Sequence, residues 1–69
     1  MNRKPVNSTN IDSIGYDFVT QTLEIGFHSG VVYQYSNVPE TVYTDLMSAG
    51  SKGRYFHINI KHEYSYKII

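Results

Sequence analysis

The sequence contains no cysteine, carries no net charge and has no long apolar run, and each absence removes a class of protein. Without cysteine there is neither a disulfide framework nor a thiolate zinc site, the usual staples of very small domains, so stability must come from packing or self-association. Aliphatic runs stop at pairs such as Val31-Val32, Leu46-Met47 and Ile68-Ile69, far short of the roughly 20 residues that span a bilayer. No membrane association is expected. Six Lys+Arg balance six Asp+Glu, which argues against coating nucleic acid by bulk electrostatics alone. The N-terminus has Arg3 and Lys4 but lacks the apolar segment of a signal peptide. Residues 1–7 therefore read as a mobile polar arm, residues 8–69 as a single domain, and the expected location is cytoplasmic.

What is present is one small domain of 69 residues. A chain of this size buries only about 60% of the surface exposed by its unfolded form, enough for one sheet with one or two helices on it. A larger enzyme scaffold does not fit. The charges are unevenly placed: residues 1–50 sum to −3, whereas residues 51–69, with Lys52, Arg54, Lys61 and Lys67 against Glu63, sum to +3. The last quarter is a basic segment, either a solvated face or a binding surface.

Thr22-Leu-Glu-Ile-Gly-Phe27 alternates, with Leu23, Ile25 and Phe27 on one face and Thr22, Glu24 and Gly26 on the other, the pattern of a half-buried strand. His28-Ser29-Gly30 offers a three-residue connection in which Gly30 takes positive φ, and Val31 to Ser36 resumes the alternation through Tyr33 and Tyr35. Asn10 to Tyr16 reads as a further strand, and Asp17 to Gln21 is long enough to turn back into Leu23. These segments predict a three-stranded antiparallel meander. Ser36 and Asn37 are capping types, Pro39 suits a first helical position, and Glu40 belongs in a first turn. Val38, Val42, Leu46 and Ala49 form an apolar stripe, and Gly50 supplies a left-handed stop, so a helix is expected from about Pro39 to Ala49. Between Phe56 and Lys61 the period does not decide: β-branched Ile58 and Ile60 favour a strand, and a cap at Ser51 with Phe56 and Ile60 four apart favours a second helix. Tyr64 to Ile69 reads as a short strand able to pair with a sheet edge.

Ile14-Gly15-Tyr16-Asp17, Gly30-x-x-Tyr33-x-Tyr35, Val38-Pro39, Tyr43, Leu46, Ala49, Ser51-Lys52-Gly53, Tyr55-Phe56 and Ile60, in this order and at these intervals, resemble the KTSC domain. That domain is a short module at the C-terminus of some lysyl-tRNA synthetases and a stand-alone protein in bacteria and their phages. The likeness runs from about Ser8 to Tyr66. It implies a module without established activity, for which RNA binding has been suggested because of the synthetase attachment, and it favours a helix over Ser51 to Ile60.

Seven tyrosines are the most unusual feature of the composition. Tyr33 and Tyr35 serve either as core covered by the helix stripe, their hydroxyls at the rim, or as a platform for stacked bases. Ser51-Lys52-Gly53-Arg54-Tyr55 combines a helix start, a hydroxyl, a glycine permitting close approach and two cations, which suits a phosphate; the plain alternative is a cap with a tight turn between helices. The Gly-x-x-x-x-Gly-Lys-Ser/Thr phosphate loop is absent. His28, His57 and His62 lack metal-ligand spacing, and no nucleophile-elbow pattern supports a Ser-His-Asp triad.

The sequence therefore predicts an α+β fold: a three-stranded antiparallel meander, one main helix, a second short helix and a short C-terminal strand. The expected function is a non-enzymatic module, without metal or cofactor, for RNA or another phosphate-bearing ligand. Lys52, Arg54 and Lys61 would sit on phosphates, Ser51 and Gly53 would shape the anion site, and Tyr55 or Tyr35 would stack on a base. The alternative is a protein-interaction or self-association module, including a phage-borne factor that sequesters a host nucleotide or protein.

Overall fold

The structure is a computed structural model that describes all residues from Met1 to Ile69. Its strands are β1 (Lys4–Pro5), β2 (Ile11–Asp17), β3 (Thr22–Phe27), β4 (Val32–Tyr35) and β5 (Tyr66–Ile68), with helices α1 (Glu40–Ser48) and α2 (Lys52–Asn59) between β4 and β5. All neighbours are antiparallel in the order β1-β2-β3-β4-β5. The class is α+β, and the expected meander is its centre. Gly30 makes the β3–β4 turn at φ 96°, a conformation that costs glycine little. A register shift between Ile11 and Ser13 leaves Asp12 exposed.

Pairing fixes which side chains share a face. Ile14 lies opposite Ile25, Tyr16 opposite Leu23, Leu23 opposite Tyr35 and Ile25 opposite Tyr33. This front face is the core: Ile14, Leu23, Ile25 and Tyr35 cluster with Val38, Leu46, Phe56 and Ile60 from the helical region. Each fully buried aliphatic side chain contributes about 1.5–3 kcal/mol relative to exposure. The Tyr16 hydroxyl donates a hydrogen bond to the Val38 carbonyl, and its ring stacks on Tyr43 with centroids 4.8 Å apart, which fixes the entry to α1 against the sheet.

The helix boundaries differ from expectation in their caps. Pro39 is the N-cap of α1 and no side chain caps it; Asn37 instead adopts φ 58° in the turn from β4. Gly50 does not take the left-handed conformation: Ala49 leaves α1 in extended backbone. The link between helices is only Ala49 to Ser51, so the chain must straighten at once, and Lys52 Nζ donates to the Ala49 carbonyl at 3.1 Å. Phe56 and Ile60 are buried four residues apart while Ile58 is 60% exposed, which resolves the ambiguous segment as helix.

The N-terminal residues, expected to be a mobile arm, lie against the sheet. β1 adds to the edge of β2, and Arg3 crosses the back of the sheet to meet Glu24 and Ser13. The reason lies in the opposite sheet face, where Ser13, Gly15, Glu24 and Gly26 leave a shallow trough with a carboxylate at its base. Glu24, expected on a solvated face, is 4% exposed because this segment covers it.

Candidate functional site

Ser51 begins α2 in extended backbone, and its Oγ accepts the Arg54 N–H at 3.3 Å. The hydroxyl therefore acts as the helix cap, and the loop before α2 faces the link between β1 and β2. Asn7, Ser8, Thr9 and Asn10 on one side and Gly50, Ser51, Lys52, Gly53 and Arg54 on the other enclose a groove of about 320 Å³ with no apolar residue in its lining. The wall formed by the link is ordered by its own hydrogen bonds: Ser8 Oγ accepts from the Asn10 and Ile11 N–H groups, and His28 Nε2 donates to the Ser8 carbonyl at 2.9 Å.

A second cavity of about 460 Å³ adjoins the groove. Thr9, Asn10 and Gly53 line both. Its walls are aromatic, with Phe27, Tyr33 and Phe56, and Asn10, His28, His57 and Lys61 supply polar groups. Phe27 meets Tyr33 and Phe56 edge-on at centroid distances of 5.5 and 5.6 Å, which fixes the ring orientations.

The electrostatics of this surface are simple. The ion pair of the chain is Arg3 with Glu24, His28 Nδ1 lies 3.6 Å from Asp12 Oδ1, and no carboxylate lies within 4.0 Å of Lys52, Arg54 or Lys61. Those three cations share one surface. Lys67 does not join them: it lies opposite Gln34, on the face that carries Glu24.

Of the residues singled out from sequence, Ser51, Lys52, Gly53 and Arg54 line the polar groove and Lys61 lines the aromatic cavity. Tyr55 lines neither. It is half-buried, and burial together with the neighbouring Asp45 and Tyr64 raises its pKa. Tyr35 cannot serve as an exposed stacking surface: it is 1% exposed because Phe56 and Tyr66 pack against its ring. Burial, with Tyr33 and Tyr66 beside it, pushes its pKa up to about 12. The aromatic wall is instead Tyr33, which the sequence offered with Tyr35 as a platform, together with Phe27 and Phe56, which sequence reasoning missed along with Thr9, Asn10 and His28. No local motif marks these residues; only the topology brings the β1–β2 link and the β3–β4 turn to α2. His57 and His62 have ring centroids 6.5 Å apart, and no group of three His, Cys, Asp or Glu side chains is placed to hold a metal ion. No helix is long and apolar enough to cross a membrane.

Comparison with known proteins identifies the architecture: the KTSC domain profile matches residues 7–64. The chain belongs to the KTSC domain family. A crystal structure of a KTSC domain protein from Yersinia pestis superposes with a TM-score of 0.94 at 46% identity, covering 99% of this chain and 96% of that one. A lysine–tRNA ligase of Trichormus variabilis is 50% identical over 52 residues, 75% of this chain and 9% of the ligase. A short protein of Stutzerimonas stutzeri is 42% identical over 57 residues, 83% of this chain and 80% of that protein. The KTSC domain thus occurs both within lysine–tRNA ligases and alone, and this chain spans about a tenth of the length of the ligases it matches.

Proposed function

We propose that this KTSC domain is a non-enzymatic binding module for a phosphate-bearing ligand, RNA foremost. A phosphate occupies the polar groove against the start of α2, with Lys52 and Arg54 supplying charge and Gly53 permitting close approach, and a base enters the adjoining cavity beside Tyr33 and Phe56 with Lys61 at its edge. The observation that carries this reading is the continuity of a polar groove and an aromatic cavity along one surface on which three cations have no carboxylate partner. Uncompensated cations beside aromatic rings are the combination that single-stranded nucleic acid rewards, through phosphate neutralisation and stacking worth about 1–3 kcal/mol per base. That the matched segment also forms part of lysine–tRNA ligases supports RNA over other phosphate ligands. A cytoplasmic setting fits the same reading.

The test is RNA binding followed over a salt series, in the wild type and in Lys52→Ala with Arg54→Ala. Each phosphate contact contributes about 0.7 to the slope of log affinity against log salt for single strands, so the double variant should bind more weakly with a slope smaller by about 1.4. Wild-type affinity and slope in the variant would remove these residues from the contact.

One observation favours a second reading as a protein-interaction or self-association module. The last strand, β5, has an unpaired edge and carries Tyr66 and Ile68, with Ile69 just beyond it; these are 54%, 63% and 58% exposed. Sedimentation showing only monomer at high micromolar concentration would eliminate self-association through that edge.

A further inference from the structure

The back of the sheet holds a recognition groove that the candidate site does not use. Its floor is made by two strand glycines that lie against another stretch of chain. A Cβ on Gly15 would stand 2.8 Å from the Asn2 carbonyl oxygen, and one on Gly26 would stand 2.9 Å from Ser13 Oγ and 3.0 Å from Arg3 Nε. Glycine inside a strand weakens it and marks a place where a backbone approaches closely. At the base of the groove sits Glu24, whose carboxylate accepts from the Arg3 guanidinium on one oxygen and from Gln34 Nε2 at 2.8 Å on the other. Ser13 Oγ accepts from Arg3 Nε at 2.9 Å. Burial alone would raise the Glu24 pKa; the hydrogen bonds from Gln34 and Arg3 and the charge of Arg3 bring it below the ordinary glutamate value. A buried carboxylate, itself held by an amide, and a hydroxyl converge on one guanidinium, while the free edge of β2 takes the main chain of the same segment through Lys4–Pro5. These are the two elements of strand-addition recognition: main-chain pairing for affinity and one side-chain pocket for specificity.

The segment that fills this groove is held through the Arg3 side chain and by little main-chain pairing. Its strand is two residues long, and the link to β2, Asn7 to Asn10, is polar and mostly exposed. We propose that this groove is a binding site for an extended, arginine-bearing chain segment, filled in cis by Met1–Pro5 and in trans by the same segment of a second copy of this chain. Exchange preserves every contact of the groove, and only the link changes path. A short tether gives the cis segment an effective concentration of about millimolar, so the trans form gains ground near that protein concentration. The groove shares no residue with the surface proposed for RNA, although the link whose path changes forms one wall of that surface, and shifts at Gly15 and Gly26 report on the groove alone.

The direct test adds a peptide of sequence Met-Asn-Arg-Lys-Pro-Val to full-length ¹⁵N-labelled Arg3→Ala protein. The expected result is saturable shifts of the Gly15 and Gly26 amides, with at least tenfold weaker binding when the peptide arginine is alanine or when the protein also carries Glu24→Gln. No shift at either glycine, or equal binding of the alanine peptide, overturns the proposal. If Arg3→Ala does not fold, a second measurement decides. The natural chain has no cysteine, so Lys4→Cys carries a single nitroxide, and this copy is mixed with ¹⁵N-labelled wild type at millimolar concentration. Selective broadening of Gly15 and Gly26 in the labelled copy supports exchange, and broadening that is absent or spread evenly over exposed amides contradicts it.

Discussion

Replacing Arg3 with alanine tests the most specific structural feature of the chain. The Glu24 side chain is 6% exposed and that of Arg3 is 32% exposed, and no other cation pairs with Glu24. Net hydrogen bonds to charged groups contribute about 1.5–3 kcal/mol, and removing one partner of a fully buried ion pair costs about 3–5 kcal/mol. Because a third of the arginine lies in water and truncation admits more, the lower end applies, about 1–2 kcal/mol. For a domain of this size each kcal/mol moves Tm by about 4–8 °C, so the variant should melt about 4–16 °C lower at neutral pH. Acid supplies a second readout. A carboxylate with a depressed folded pKa contributes stability that is fully present above the unfolded value, near 4.3 for glutamate, and is lost as pH falls through the folded value. In the variant the contributions of Arg3 are gone while burial still raises the Glu24 pKa. The difference between the two proteins should therefore narrow as pH falls below the unfolded glutamate value, near 4.3. Thermal unfolding followed by circular dichroism from neutral pH down through that value checks both statements. Melting within about 2 °C of wild type at neutral pH, or a gap that persists unchanged in acid, would refute the reasoning.

Tyr16→Phe removes the donor to a buried carbonyl at Val38 while keeping the ring stacked on Tyr43. It should cost about 1–2 kcal/mol, read as a lower urea midpoint with an unchanged denaturant slope. Tyr35, with its pKa pushed up to about 12, should ionise last among the tyrosines in a spectrophotometric alkaline titration. Its folded pKa exceeds the unfolded value near 10, so its contribution is intact below pH 10 and is lost as pH rises through the folded value. Tyr35→Phe should blunt that alkaline loss, and ordinary titration of all seven tyrosines would contradict the burial assigned here.

The front of the molecule was legible because alternation and helical spacing report one-sided burial. Leu23 and Ile25 alternate with polar neighbours, and Val38, Val42 and Leu46 recur at four-residue intervals, so the strands and α1 followed from pattern. The ambiguity arose because β-branched Ile58 and Ile60 stand at alternate positions, although one is exposed and the other buried; the cap at Ser51 was the better guide. The back of the sheet was not legible. Glu24 in an alternating strand reads as solvated, and nothing local announces that Arg3, 21 residues away, will cover it. Gly15 and Gly26 carried the only signal, since strand glycines mark close approach of another chain segment. For the candidate site, the Ser51–Arg54 cluster lies within four consecutive residues and was visible in the sequence, whereas Thr9, Asn10, His28 and Tyr33 come from elements that only the sheet order brings beside α2. For Tyr35 the alternation left core and platform both open, because its burial depends on how far α2 and Tyr66 extend over it.

The most direct measurement for the proposed function is a ¹⁵N-HSQC titration of the wild-type domain with short single-stranded RNA at low salt, repeated at higher salt. The account predicts salt-sensitive shifts clustered on Asn7–Asn10, Ser51–Arg54 and Lys61, with accompanying changes at Tyr33. A spectrum that does not move, or shifts confined to β5 and insensitive to salt, would contradict it.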